Sequence, residues 1–143
     1  MTNHTEHDDD EHRELTQKFM MFEQQIRLIQ EQMQAVENAI IDLEGVHLGL
    51  GELVGKKDNE IMAPIGRGIY AKAKLISEDL LVDVGGKNFV KKSIPETQKV
   101  LKEQTEKLKT IKTELEGEME KINEELTKVF MEHQKMHEHD EED

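Results

Sequence analysis

The residues that decide the fold are 80–104, "LLVDVGGKNFVKKSIPETQKVLKEQ". An apolar run typical of a strand turns over at two adjacent glycines and returns as a second strand-like run. Ser93 follows directly, and with Glu96 it has the S-x-x-E spacing of a capping box, while Pro95 suits the first turn of a helix. The stretch therefore predicts a short β-hairpin connected to the start of a long charged helix.

That helix carries a heptad seam. Its main row has an apolar residue every seven positions, the repeat of a coiled coil, at Ile94, Leu101, Leu108, Leu115, Ile122, Val129 and Met136. A companion row, four positions further on, is weaker and contains Lys112. We expect the adjacent Ile111 to substitute for Lys112 by lying alongside the seam.

A second seam precedes the hairpin, and its alternating spacings of four and three exclude disorder for this segment. Gly45, Gly49 and Gly51 near its end each weaken a helix by about 1 kcal/mol relative to alanine, which questions the continuity of the helix there. The seam consists of Leu15, Phe19, Phe22, Ile26, Ile29, Met33, Val36, Ile40 and Leu43, and its register can continue through His47 and Leu50 to Val54.

Two helices of similar length joined by a compact insert predict an antiparallel coiled-coil hairpin, in which paired residue numbers add up to about 150. The alternative is that each seam pairs with another chain. One domain is expected, with a disordered acidic tail at 1–13, a helix at 14–55, two β-hairpins at 60–92, a helix at 93–137 and an acidic tail at 138–143.

The first hairpin turns at Gly66-Arg67-Gly68, and Pro64 marks its strand as an edge strand or as bulged. The four strands form at most one small four-stranded sheet. Two hairpins alone are marginal in water, and their apolar face and open edges need a cover. We therefore expect an oligomer whose platform is built from hairpins. The expected assembly residues alternate along the strands: Ile69, Ala71, Leu75, Leu80, Val82 and Val84.

Two coiled coils that flank "PIGRGIYAKAKLISEDLLVDVGGKNFVKKS", residues 64–93, resemble the α-class subunit of archaeal prefoldin. Two hairpins fit the α class, because the β class has one. The resemblance implies an α+β fold whose hairpins join an intersubunit β-barrel platform. It also implies a cytoplasmic hexamer of two α and four β subunits. Such a complex is an ATP-independent holdase that binds unfolded proteins at the coiled-coil tips and delivers them to a group II chaperonin.

Composition narrows the functional classes further. A net charge of -13 argues against nucleic acid and against an anionic membrane surface as partners. The segment "GLGELVGKK" fails both glycine-rich phosphate-loop patterns, and the absence of Cys and of any Ser/His/Asp set argues against catalysis. Neither an enzyme nor a cofactor is expected. His133 and His137 could share a helix face and hold a metal ion, but we favour a solvated tail and assign no metal site.

Most of the phenylalanines and several methionines lie near the free ends of the two helices. The functional interpretation is an adaptable surface that binds unfolded clients, because Met side chains tolerate many shapes. The alternative is an ordinary coiled-coil core, in a protein that serves as a structural scaffold or filament subunit. The candidate client-binding residues are Phe19, Met20, Met21, Phe22, Phe130, Met131 and Met136.

Overall fold

A computed structural model describes the backbone of residues 3–141 and the side chains of residues 9–135. The elements are helix α1 (Asn3–Glu52), strands β1 (Glu60–Gly66), β2 (Ile69–Lys74), β3 (Leu80–Asp83) and β4 (Phe89–Lys92), and helix α2 (Ile94–Glu141). Two long helices with two antiparallel β-hairpins between them confirm the predicted fold class. The chain divides into two compact units, which we call the helical unit (residues up to 37 and from 110 onward) and the hairpin unit (residues 38–109).

The predicted seam is the buried side of α1. Ile29 is buried, and the other seam residues from Leu15 to Leu50 are half-buried. The prediction is wrong for Val54, whose side chain is 57% exposed. Because α1 ends at Glu52 and the chain leaves the helical path there, Leu53 is half-buried instead.

In the seam of α2, Ile94 and Leu115 are buried, at 2% and 8% exposed, and the other seam residues up to Val129 are half-buried. The side chain of Met136 lies outside the described residues. Thr105 in the companion row is buried as well, and its hydroxyl donates to the Leu101 carbonyl at 2.9 Å, so its polar group is satisfied. The expected substitution by Ile111 does not occur: Ile111 is 42% exposed and Lys112 is half-buried. The aliphatic stem of a lysine can cover an apolar seam while its ammonium group reaches outward.

The two helices pair antiparallel within each unit. In the helical unit, Lys112 Nζ lies 3.4 Å from Glu37 Oε1. In the hairpin unit, Lys109 Nζ lies 3.5 Å from Glu44 Oε1. Such solvent-accessible ion pairs contribute little stability, about 0–1 kcal/mol each. Their positions show that the register between the two helices is close to the predicted one. The helices therefore pair within one chain, rather than each finding its partner only in another chain.

Helix α1 continues through Gly45, Gly49 and Gly51, although their low helix propensity argued against a continuous helix there. A Cβ atom at Gly51 would lie 3.2 Å from Gln98 Nε2, so the missing side chain lets α2 approach closely. Gln98 Nε2 in turn donates to the His47 carbonyl at 3.2 Å. Packing between the helices thus offsets the poor helix propensity of glycine at this position.

Both helices are longer than their seams. The backbone is helical from Asn3, inside the segment 1–13 predicted to be disordered, and α2 extends to Glu141, into the predicted tail at 138–143. Neither glycine nor proline occurs at 3–44 or 118–141. A helix that is already nucleated propagates through such residues at little cost. Within the described residues, neither helix contains an apolar stretch of the length needed to cross a membrane.

Helix α2 starts with the predicted cap. Ser93 Oγ accepts a hydrogen bond from the Glu96 backbone N–H at 3.2 Å, and Thr97 Oγ1 donates to the Ser93 carbonyl at 2.9 Å. A serine cap of this kind contributes about 1 kcal/mol of helix stability. It also fixes the helix start one residue after the cap, where the buried Ile94 lies.

The hairpins have the predicted turns. Strands β1 and β2 pair with a bulge between Pro64 and Gly66 and are joined through Arg67 and Gly68, whose φ angles are 52° and 78°. Strands β3 and β4 pair around a loop in which Gly85 and Gly86 also have positive φ. The hairpins form two separate two-stranded sheets and not one sheet of four strands.

Candidate functional surfaces

The helical unit exposes apolar side chains next to its seam. The exposed fractions are 59% for Met20, 60% for Met21, 52% for Phe130 and 59% for Met131. Because successive residues of a helix are rotated by about 100°, residues adjacent to a buried seam position face solvent. Exposed apolar groups that gather in one region are typical of interaction surfaces.

The remaining candidate client-binding residues lie elsewhere. Phe19 and Phe22 are half-buried in the seam of α1, where they contribute to the packing of the two helices. The side chain of Met136 lies outside the described residues. The candidate set therefore divides into an exposed group of four and a packed pair, and its role in client binding stays a prediction.

A cavity in the helical unit is lined by one member of this exposed group, Met21. It has a volume of about 350 Å³, and its walls include Met21 and Phe22 from α1 and Val129 from α2. A second cavity of about 430 Å³ follows on the same face and adds Leu28, which is 59% exposed. Leu28 was missed by the sequence reasoning, although its spacing of seven from Met21 is a signal that could have found it.

The predicted assembly residues lie on the hairpins, where their burial varies with position along the strand. Ala71, Leu75, Leu80 and Val82 are half-buried. Ile69 is 62% exposed and Val84 57% exposed, because both lie next to the turns. Assembly by these residues stays a prediction that nothing within one chain tests.

The hairpins expose more apolar surface than their alternating pattern predicts. Ile76 is 80% exposed, Leu81 69% and Phe89 62%. Within the described chain, each strand pairs with one neighbour only, so each also has one open edge. Open edges and exposed apolar side chains together are features of a surface that pairs with another chain.

The described residues offer little to a metal ion. Among them, no group of three or more Asp, Glu and His side chains could hold one. His133 lies in α2 and is half-buried, whereas its predicted partner His137 lies outside the described side chains, as do His4, His7 and His139.

Paired helices with exposed Met and Phe, connected through two small hairpins with open edges, define a class of coiled-coil proteins that carry β-hairpins between their helices. The family model described as prefoldin subunit matches residues 17–139. The chain belongs to the prefoldin family, a chaperone family whose subunits assemble with one another.

Named relatives are archaeal. The chain is 32% identical over 127 residues to prefoldin subunit alpha 1 of Methanocaldococcus jannaschii, an alignment that covers 82% of this chain and 80% of the relative. It is 25% identical to prefoldin subunit alpha of Methanobrevibacter smithii, with 77% and 76% covered. A filamentous PFD from Methanocaldococcus jannaschii, solved by cryo-EM, has the same fold, with a TM-score of 0.71 at 17% identity, covering 82% of this chain and 98% of that one.

Proposed function

We propose that the chain is a subunit of an ATP-independent holdase, which binds unfolded proteins at the free ends of its helices and passes them to a group II chaperonin. The observation that carries this proposal is the exposed group of Met20, Met21, Phe130 and Met131 in the helical unit. The partners would be prefoldin β-class subunits in an α2β4 hexamer. The activity would be cytoplasmic and would need neither a catalytic residue nor a cofactor.

The chemistry of the exposed group suits an unfolded client. Met side chains have three rotatable bonds and a polarisable sulfur, so they can pack against many different apolar sequences. A few such side chains on one chain would bind weakly. Several chains that hold the same client at once would multiply the effective concentration and raise the overall affinity. Weak contacts per subunit also allow release without ATP.

The hairpins supply the means of assembly in this proposal. A two-stranded sheet alone is marginal in water, and each chain has two such sheets. Their half-buried apolar residues and open edges would be covered by hairpins of neighbouring subunits in a shared β-barrel. Assembly would then use the hairpins, and the helical unit would stay accessible to clients.

A second candidate function is a filament-forming or scaffold subunit. The solved structure with a similar fold is of a filamentous PFD, which favours it, although at 17% identity the likeness concerns the fold alone. Both functions use the hairpins for assembly. They differ in whether the exposed Met and Phe residues are needed and in whether a second type of subunit is required.

Truncation tests the proposal directly. Deletion of residues 1–22 and 130–143 removes the exposed group and leaves about four heptads in each helix, enough for pairing. Assembled with a β-class partner, the truncated chain should give a complex of normal stoichiometry by native mass spectrometry, yet fail to suppress aggregation of a denatured protein. Full suppression by the truncated complex, or unlimited growth of the wild-type chain without a partner, would favour the filament function instead.

A further inference from the structure

A groove runs along one face of the helical unit. Three cavities follow each other there. A cavity of about 240 Å³ shares Lys18, Val129 and Glu132 with the 350 Å³ cavity, and the 350 Å³ cavity shares Gln25 with the 430 Å³ cavity. On α1 the groove extends from Glu11 to Gln32, a length of about 30 Å at 1.5 Å per residue. It thus reaches well beyond the exposed group at the helix ends.

The floor and walls of this groove repeat with the period of a coiled coil. Met21 and Leu28 are seven residues apart on α1, and Val129 and Ile122 are seven apart on α2. An apolar groove between two paired helices with this repeat is the surface on which a third helix packs, with its own apolar residues at spacings of three and four. The geometry therefore selects a helical guest over an extended one.

The charges along the groove favour a guest segment with a positive net charge. Five glutamates line it against three lysines, and among the described side chains none of the five forms an ion pair. The wider surroundings have the same sign, because residues 1–37 and 110–143 carry 21 Asp and Glu against seven Lys and Arg. Residues 38–109 carry 11 against 12, so the acidic character belongs to the helical unit alone.

We propose that this groove binds cationic amphipathic segments of unfolded polypeptides in helical form. Apolar side chains of the guest, one heptad apart, would enter the cavities beside Met21 and Leu28. Its Lys and Arg side chains would lie over the unpaired glutamates, such as Glu125 and Glu132, at the rim. The inference rests on the proposed holdase function and specifies which clients the helical unit prefers.

Three labelled peptides test which kind of segment the groove binds. Each has about 21 residues, equal to the three heptads that the groove spans. The first has Leu at the two seam positions of each heptad and Lys at the flanks, the second is its scrambled version, and the third replaces every Lys by Glu. Fluorescence anisotropy with the full-length chain should give at least tenfold tighter binding of the first peptide than of either other. Its affinity should fall as salt rises, because exposed charges are screened within about 10 Å at 0.1 M.

Leu28→Ser and Ile41→Ser form a matched pair of variants, since both side chains are apolar and exposed on α1, and only Leu28 lines the groove. Leu28→Ser should weaken binding of the first peptide at least fivefold, and Ile41→Ser should leave it unchanged. Equal binding of all three peptides, or equal effects of the two variants, would overturn the inference. So would a change of oligomer size in Leu28→Ser alone, which would assign the groove to a second copy of the chain.

The same samples separate this inference from the proposed function. Suppression of aggregation by the wild-type complex, together with no preference among the peptides, would keep the holdase and reject the cationic helical guest. Loss of both would reject the two together. Suppression of aggregation, together with tight, salt-dependent binding of the first peptide and not of the other two, supports both.

Discussion

Replacement of the exposed apolar group in the helical unit should weaken client binding at least tenfold while leaving the fold intact. The variant changes four side chains that are 52–60% exposed, Met20, Met21, Phe130 and Met131, to Ser. None of the four lies in the seam, where Phe19, Phe22 and Val129 are half-buried. Pairing of the two helices should therefore survive, apart from the modest helix propensity cost of four serines.

The size of the effect follows from the exposed fractions. Complete burial of a Met or Phe side chain contributes about 1.5–3 kcal/mol, and each of these four side chains still has more than half of its surface to bury. That leaves about 1–1.5 kcal/mol each, less the cost of ordering each side chain, about 0.5–1 kcal/mol. At mid-range values this leaves about 0.5 kcal/mol per side chain and about 2 kcal/mol per chain, which weakens client binding by at least a factor of ten.

The assay is suppression of aggregation of a denatured protein by the complex with its partner subunits, measured as a function of complex concentration. A matched control changes four other exposed apolar helix residues, all in the hairpin unit, to Ser: Ile41, Val46, Leu48 and Val100. Circular dichroism and light scattering verify helix content and oligomer size in both. If the control loses as much suppression as the first variant, general surface hydrophobicity, and not the helical unit, binds the client.

Three further predictions concern assembly and stability. Val82→Asp should prevent oligomer formation in light scattering, because it introduces a charge on the half-buried side of β3 that a neighbouring hairpin would cover; a wild-type oligomer would contradict the shared barrel. Gly49→Ala should raise the free energy of unfolding in urea by about 0.5–1 kcal/mol, since a Cβ at this helical position has open space, and an unchanged midpoint would count against a helix there. Ile94→Ala should lower the free energy of unfolding by about 2–4 kcal/mol and the half-exposed Ile111→Ala by less than 1 kcal/mol; equal losses would contradict the burial of Ile94.

Much of the fold follows from local and periodic features of the sequence. The buried positions of Ile29 and Leu115 are set by the heptad phase, which needs no knowledge of the partner segment. The start of α2 is set by Ser93 and Glu96, because a cap is a contact between residues three apart. The hairpin turns are likewise set by the few residues that accept positive φ.

The predictions that are wrong concern positions whose structure depends on contacts with residues distant in the sequence. Propensity alone questions a helix at Gly51, whereas the close approach of Gln98 stabilises one. The exchange of Ile111 for Lys112 fails because the aliphatic stem of Lys112 covers the seam while its ammonium group reaches Glu37 on the other helix. Neither contact can be found without the register between the helices.

The candidate surface was predictable in part for the same reason. The exposure of Met20 and Phe130 follows from their helix phase next to seam residues. The groove does not, because it requires knowing which flank of α1 lies beside which flank of α2. The spacing of seven from Met21 could have marked Leu28 as a candidate, but only the structure places it in the groove.

The two hairpins of the chain are not hydrogen-bonded to each other, which has a consequence for how such chains can be linked. Each two-stranded sheet can accept an added strand without affecting the other. In the vocabulary of polymer growth, a chain whose two hairpins each bind one neighbour is a bifunctional monomer, whereas a subunit whose single hairpin binds one neighbour would act as a chain stopper. The ratio of the two kinds of subunit would then set the length of the assembly, as a stopper sets the length of a polymer. Whether a run of bifunctional monomers closes or continues would depend on the angle between successive neighbours.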